Sequence, residues 1–245
     1  MTGTIINVAA ILIGGTIGLL FGSRIPERFK NTVIAGMGIF TSALGMQMFL
    51  KSENSLIVLG ALIIGALIGE WIGIEDGLQT FGQMLEKRFS RDSETGSSSK
   101  FVRGFMVSSL LFCIGPIAII GSIQDGLTGD YNLLAVKSTL DGFAAIAFAS
   151  TLGIGVLFSS LIILIYQGGV SLLANQLNAI VTDPMMAEMT ATGGILLIGV
   201  GLSNLLEIKK IRVGNFLPAL VTAPFIVWVI PLITQGINAV FFSTP

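Results

Sequence analysis

The sequence predicts an all-α fold, a polytopic membrane helix bundle of about eight transmembrane helices. Three observations carry this. Of the 245 residues, 53% are hydrophobic and only 11% are charged, where a soluble domain carries about 25% charged residues. At a mean hydropathy of +0.89 there is too little polar surface to cover a core in water, so lipid is the fitting solvent. Glycine is abundant, at 31 residues, as in membrane helices whose small faces let backbones approach closely.

A span needs about 20 mostly apolar residues. The first, at 4–22, runs too long for a signal-peptide core and lacks a basic segment before it, so it reads as a retained helix. Further spans follow at 32–50, 55–74, 101–122, 134–151, 153–174, 189–206 and 215–235. The fifth and sixth form one apolar stretch, divided here at Gly153 and Gly155; seven helices with one segment re-entrant is the other reading. The chain thus divides into 1–74, a polar loop at 75–100 with an interfacial amphipathic stretch at Leu78–Phe89, the central spans at 101–152, and 153–245.

With eight spans, Arg24, Arg28, Lys30, Lys87, Arg88, Arg91, Lys100, Arg103, Lys209, Lys210 and Arg212 share one side. The opposite loops hold Lys51, Glu53, Asp125, Asp130, Asp183 and Glu188. The positive-inside rule then places the basic loops in the cytoplasm and both termini outside. A weak internal likeness pairs Ala35–Gly45 with Gly194–Leu202. As a repeat of the first three and last three spans it would be inverted, a common transporter architecture; shared glycine-rich composition is the alternative.

Composition also excludes. A net charge of −1 offers no basic stripe for nucleic acid. With no histidine and only Cys113, neither an internal disulfide nor a thiolate- or imidazole-rich metal site can form. Any bound metal would be a hard cation such as Mg²⁺ or Mn²⁺ on oxygen ligands. No P-loop, H-E-x-x-H or G-x-S-x-G occurs and the usual general base is missing, so neither an enzyme nor a cofactor is expected.

Chemistry concentrates in the middle of the chain. Cys113, Gly115 and Pro116 interrupt the fourth span, and a proline there frees a backbone carbonyl, tolerated where it faces protein or a water-filled cavity. That span leads to Gln124 and Asp125. The fifth carries Lys137, Ser138, Thr139 and Asp141, with Lys137 and Asp141 four apart and so on one face. An ionisable residue at membrane depth is a functional candidate by default; a satisfied structural pair near the outer interface is the alternative. Asp125 fits an exposed outer loop equally well. Glu70 fits either a bundle-facing carboxylate or an interfacial residue beside Trp71 in the aromatic belt. Asn7 is a polar position in the first span; Gln167 and Asn204 are others in later spans, and membrane amides more often bond neighbouring helices than bind a substrate. Small-x-x-x-small steps at Gly14, Gly18 and Gly22, and at Gly65, Gly69 and Gly73, fit packing within the chain or a homo-oligomer.

The runs Gly3–Gly18 (GTIINVAAILIGGTIG), Phe112–Val156 (FCIGPIAIIGSIQDGLTGDYNLLAVKSTLDGFAAIAFASTLGIGV) and Gly193–Leu220 (GGILLIGVGLSNLLEIKKIRVGNFLPAL) resemble the YdfK/YqgA-like family of uncharacterised bacterial integral membrane proteins. The matching positions are Asn7, Cys113, Gly115, Pro116, Asp125, Gly126, Lys137, Asp141, Gly142, Asn215 and Pro218. The resemblance covers essentially the whole chain. It implies a bacterial inner-membrane protein, uncharacterised or assigned to transport, and brings no substrate or mechanism. A fainter likeness to small manganese exporters, in Leu140-Asp141-Gly142 ahead of Gly153, favours a cation. The functional expectation is a secondary transporter or facilitator of a small solute or ion. The alternatives are a membrane scaffold or sensor working through the 75–100 loop, and a small oligomeric channel.

Overall fold

The computed structural model describes residues 1–22, 24–89 and 97–241. Among them every regular element is helical: α1 (Thr2–Gly22), α2 (Glu27–Phe49), α3 (Ser55–Ile72), α4 (Ile74–Phe89), α5 (Ser97–Cys113), α6 (Pro116–Thr128), α7 (Asn132–Leu152), α8 (Gly155–Leu172), α9 (Ala174–Asn178), α10 (Asp183–Val200) and α11 (Ala219–Phe241). A π-helical turn, Gly201–Leu205, extends α10, and a 3-10 turn, Val213–Phe216, precedes α11. Seven of the helical segments are long and apolar enough to cross a bilayer, and α5 with α6 forms a further apolar pair bent by 65°.

Packing decides how the bent pair counts. α1 lies parallel to α7, with Gly3 against Leu134, Gly14 against Gly142, Gly18 against Ile146 and Gly22 against Ser150. α2 runs antiparallel to α10, with Gly38 against Leu205 and Leu206 and Gly45 against Gly194. α3 runs antiparallel to α11, with Gly60 against Ile226 and Gly65 against Ala219. A chain that alternates direction at each crossing produces all three senses only if α5 and α6 together cross once. The pair also follows α8 from one end to the other: Gly155 meets Phe101, and Gly126 meets Ser171.

The glycine steps serve this packing. A β-carbon at Gly14 or Gly18 would overlap the carbonyl oxygens of Gly142 and Ile146, so only small residues let α1 and α7 meet backbone to backbone. Gly69 meets Asn215 in the same way, while Gly73 ends α3 in the left-handed conformation (φ +72°). The Gly14 and Gly69 faces are therefore filled from within the chain.

Other boundaries moved for identifiable reasons. The fourth span is two helices rather than one. Pro116 has no N–H to give the Phe112 carbonyl, and Gly115 takes φ +156°, a conformation side chains rarely adopt. The division of the fifth and sixth spans stands at Gly153, which closes α7 at φ +84°. The polar segment at 75–100 is largely helix, with α4 beginning at Ile74; the loop expected at its tip, 90–96, lies outside the described residues. Glu188, expected in a loop, is buried in α10. Its carboxylate accepts from Ser52 Oγ at 2.8 Å and from the Glu53 and Asn54 N–H groups at 2.9 and 2.8 Å, tying down the start of α3.

The two ends of the bundle differ in charge. Arg24, Arg28, Lys30, Lys100, Arg103, Lys209, Lys210 and Arg212 gather at one end, the basic end. There Lys100 pairs with Glu27 at 3.6 Å, Arg103 with Glu207, and Arg212 with Glu70 and Asp76. Exposed pairs of this kind are screened by solvent and contribute little to stability. Also at this end, burial raises the Glu75 carboxyl above its ordinary value although the Gly214 N–H donates to it at 2.6 Å.

Candidate functional site

Away from the basic end, α1, α6, α7 and α8 all touch one another. Asp141 lies at the midpoint of α7, one turn beyond Lys137, and the two form an ion pair while only 9% and 7% exposed. Asn7 reaches across from α1 and donates through Nδ2 to Asp141 Oδ2 at 3.0 Å and to Gln167 Oε1 of α8 at 3.2 Å. Asn7 and Gln167 are both fully buried. An unpaired charge at the centre of a membrane helix costs about 3 kcal/mol, so the pair and its amide partner are what allow these ions to sit here.

The break in the bent span falls at the same depth. Cys113 ends α5, is buried, and feels the charges of both Lys137 and Asp141. Gly115 and Pro116 then open α6, whose axis departs at 65°. Two half-helix ends are thereby presented inside the protein beside an ion pair, an arrangement transporters use to coordinate ions and charged groups with backbone dipoles.

Asp125 lies on α6 with its side chain fully enclosed, not in a loop as one sequence reading had it. Its Oδ2 accepts from the Gly3 N–H at 3.0 Å, and the Met1 nitrogen lies 3.2 Å from the same oxygen. Ser138 is buried and donates to the Leu134 carbonyl at 2.6 Å. Three expected residues lie apart from the site. Thr139 and Gln124 are exposed on the outer faces of α7 and α6, since neighbouring positions on a helix point about 100° apart. Glu70 is exposed at the basic end, where it takes Arg212 and Asn215 as partners.

Toward the basic end the interior turns apolar. Phe112 and Phe148 meet edge to face, with centroids 6.3 Å apart, just below the break. Ile11, Leu110, Ala145, Leu152, Val156 and Ile163 pack around them, all at most 2% exposed. An apolar layer thus lies between the polar cluster and the basic end, beside the buried hydroxyls of Ser108, Ser109 and Ser159. Among the described residues no group of three or more acidic or cysteine side chains is placed to hold a metal.

Residues 2–228 match the family described as Protein of unknown function (DUF554). The chain belongs to this family. Within it, the chain is 34% identical over 221 residues to the Escherichia coli protein named Uncharacterized protein YqgA, covering 90% of this chain and 94% of that one. It is 33% identical over 234 residues to the Bacillus subtilis protein named Uncharacterized membrane protein YdfK, covering 94% and 97%. No solved structure matches the chain. Family membership and the apolar crossings together make this a multi-pass membrane protein.

Sequence reasoning underrated Gln167 and passed over Thr4 and Ser122. All three are at most 0% exposed. Their only signal was a polar side chain inside an apolar helix, and which face of such a helix is buried shows only once its neighbours are in place.

Proposed function

We propose that this member of the family is a secondary transporter or facilitator that moves a small solute or ion across the bacterial inner membrane. One observation supports the reading above others: a span broken at mid-depth beside the buried Lys137–Asp141 pair. A purely structural span gains nothing from a break, and an isolated pair at that depth is costly. In this reading Asp141 binds the coupling cation or proton and Lys137 sets its charge state. The half-helix ends at Gly115 and Pro116 line the path, and the Phe112–Phe148 layer is the closed gate. The basic end faces the cytoplasm, with both termini outside. The chain makes and breaks no covalent bonds in its substrate and needs no cofactor.

Solute uptake or efflux in proteoliposomes, comparing Asp141→Asn with the parent, tests this. The expected result is that the variant loses transport of the solute the parent carries. Full activity in the variant for every transported solute removes Asp141 from the mechanism.

A further inference from the structure

Buried polar atoms nearly always find a hydrogen-bond partner, in the protein or in ordered water. Here seven find none among the described residues; Ser109 Oγ and Asn204 Oδ1 lie toward the basic end, and the other five gather on α1, α6 and α8. Thr4 Oγ1 and Asn7 Oδ1 lie on α1, Ser122 Oγ and Asp125 Oδ1 on α6, and Gln167 Nε2 on α8. Thr4 and Asn7 are three apart, as are Ser122 and Asp125, so each pair lies along one face of its helix. The faces are joined: Gly3 N–H binds Asp125, Ser171 Oγ donates to the Ser122 carbonyl at 2.9 Å, and Asn7 bonds Gln167, one turn before Ser171. The atoms form a column that begins at Asp125, near the end of the bundle opposite the basic one. It descends past Thr4 and Ser122 and ends on Asn7, whose Nδ2 holds Asp141.

We infer that this column holds a chain of buried waters along which a proton passes between Asp125 and the Lys137–Asp141 pair, so that the coupling ion of the transport reading is the proton. The inference rests on that reading for its purpose but not for its test. The site admits a proton more readily than a metal cation. A proton needs one carboxylate oxygen, whereas among the described residues no group of three or more acidic or cysteine side chains is placed to hold a metal. Hydroxyls and amides alternate as donors and acceptors, as a water wire requires. The step is a simple transfer: a hydronium O–H bond breaks as an O–H bond forms on the Asp141 carboxylate. Water is left behind, and Lys137 keeps its protons while losing its counter-charge. Below Asp141 the Phe112–Phe148 pair intervenes, and the next partnerless buried hydroxyl is Ser109 Oγ on α5, one turn before Cys113.

Two measurements on the purified full chain test this without any solute. The first is hydroxyl-radical labelling by brief X-ray exposure, which generates radicals from water in place. Thr4→Cys and Ser122→Cys, each with Cys113→Ser, are compared with Ala145→Cys, also with Cys113→Ser, in the apolar layer. The expected result is labelling several-fold faster at the two column positions; equal rates at all three overturn the water chain. The second is infrared difference spectroscopy during acid titration. The parent is expected to show a carboxylic C=O band that is missing in Asp141→Asn and that shifts promptly on transfer to D2O. Thr4→Val with Ser122→Ala, which remove two partnerless hydroxyls and no native hydrogen bond that either oxygen accepts from the protein, should slow that shift several-fold. No Asp141 band, or an unchanged shift in the double variant, overturns the proton assignment. Neither readout depends on transport, so a failure here is separable from a failure of the proteoliposome experiment.

Discussion

Lys137 and Asp141 neutralise one another at a depth where either alone would be an uncompensated ion, and Asn7 fixes the carboxylate from the neighbouring helix. Their worth is therefore conditional on each other. Asp141→Asn leaves a buried ammonium without its partner and should destabilise the protein by about 3 kcal/mol, as should Lys137→Met for the mirror reason. The double variant removes both charges and should cost clearly less than the two losses added together. Thermal melting of the four proteins in detergent measures this cycle; strictly additive losses would show that the pair does not act as a unit. This pair was legible beforehand because i, i+4 spacing puts two residues on one face whatever surrounds the helix. Gln167, Thr4 and Ser122 were not. In a lipid-bathed bundle both the buried and the outer face of a helix are apolar, so periodicity does not say which way a lone hydroxyl or amide points. Thr139 and Gln124 each adjoin a buried residue of the cluster in sequence and, about 100° round the helix from it, are exposed.

At the scale of elements, contact between α1 and α7 depends on residues with no side chain to interpose. Gly18→Leu would drive a side chain into the Ile146 carbonyl and the Ala149 methyl, which are backbone and a packed neighbour and cannot yield. That substitution should abolish a monodisperse peak on detergent size-exclusion chromatography. Gly36→Ala, at a glycine with open space around its Cα, should leave the peak unchanged. If both variants behave alike, close packing of α1 on α7 is not what holds the bundle together. The sequence announced these steps but not their partners, because a glycine face fits another subunit as well as another helix. It announced the breaks better. Proline removes a donor and glycine permits a positive φ irrespective of tertiary context, so Gly115-Pro116 and Gly153 could be located from local chemistry. The size of the bend, 65°, could not be, since it follows from how α5 and α6 each pack on α8.

Across the whole molecule, the parallel lie of α1 and α7 and the antiparallel lie of the α2–α10 and α3–α11 pairs share one cause, an odd and complete crossing by the bent span. Hydropathy alone left open a re-entrant segment, placed in the 134–174 stretch and not in the fourth span, because length and composition measure how apolar a stretch is and not whether it returns to its own side. The loops provide the test. Lys51 follows two crossings and Asp130 follows the bent span, so both should face the same side, opposite to Arg28 and Lys209. All four positions are exposed. With Cys113→Ser as background, Lys51→Cys and Asp130→Cys should react with an impermeant maleimide on intact cells. Arg28→Cys and Lys209→Cys should react only after the membrane is opened. Labelling of Lys51→Cys and Asp130→Cys from opposite sides would make the α5–α6 pair re-entrant and would place Asp125 on the cytoplasmic side. It would also contradict the direction in which α1 packs on α7. Labelling of all four in the inverse sense would keep the eight crossings and reverse the orientation, carrying the polar column and its proton site to the inner face.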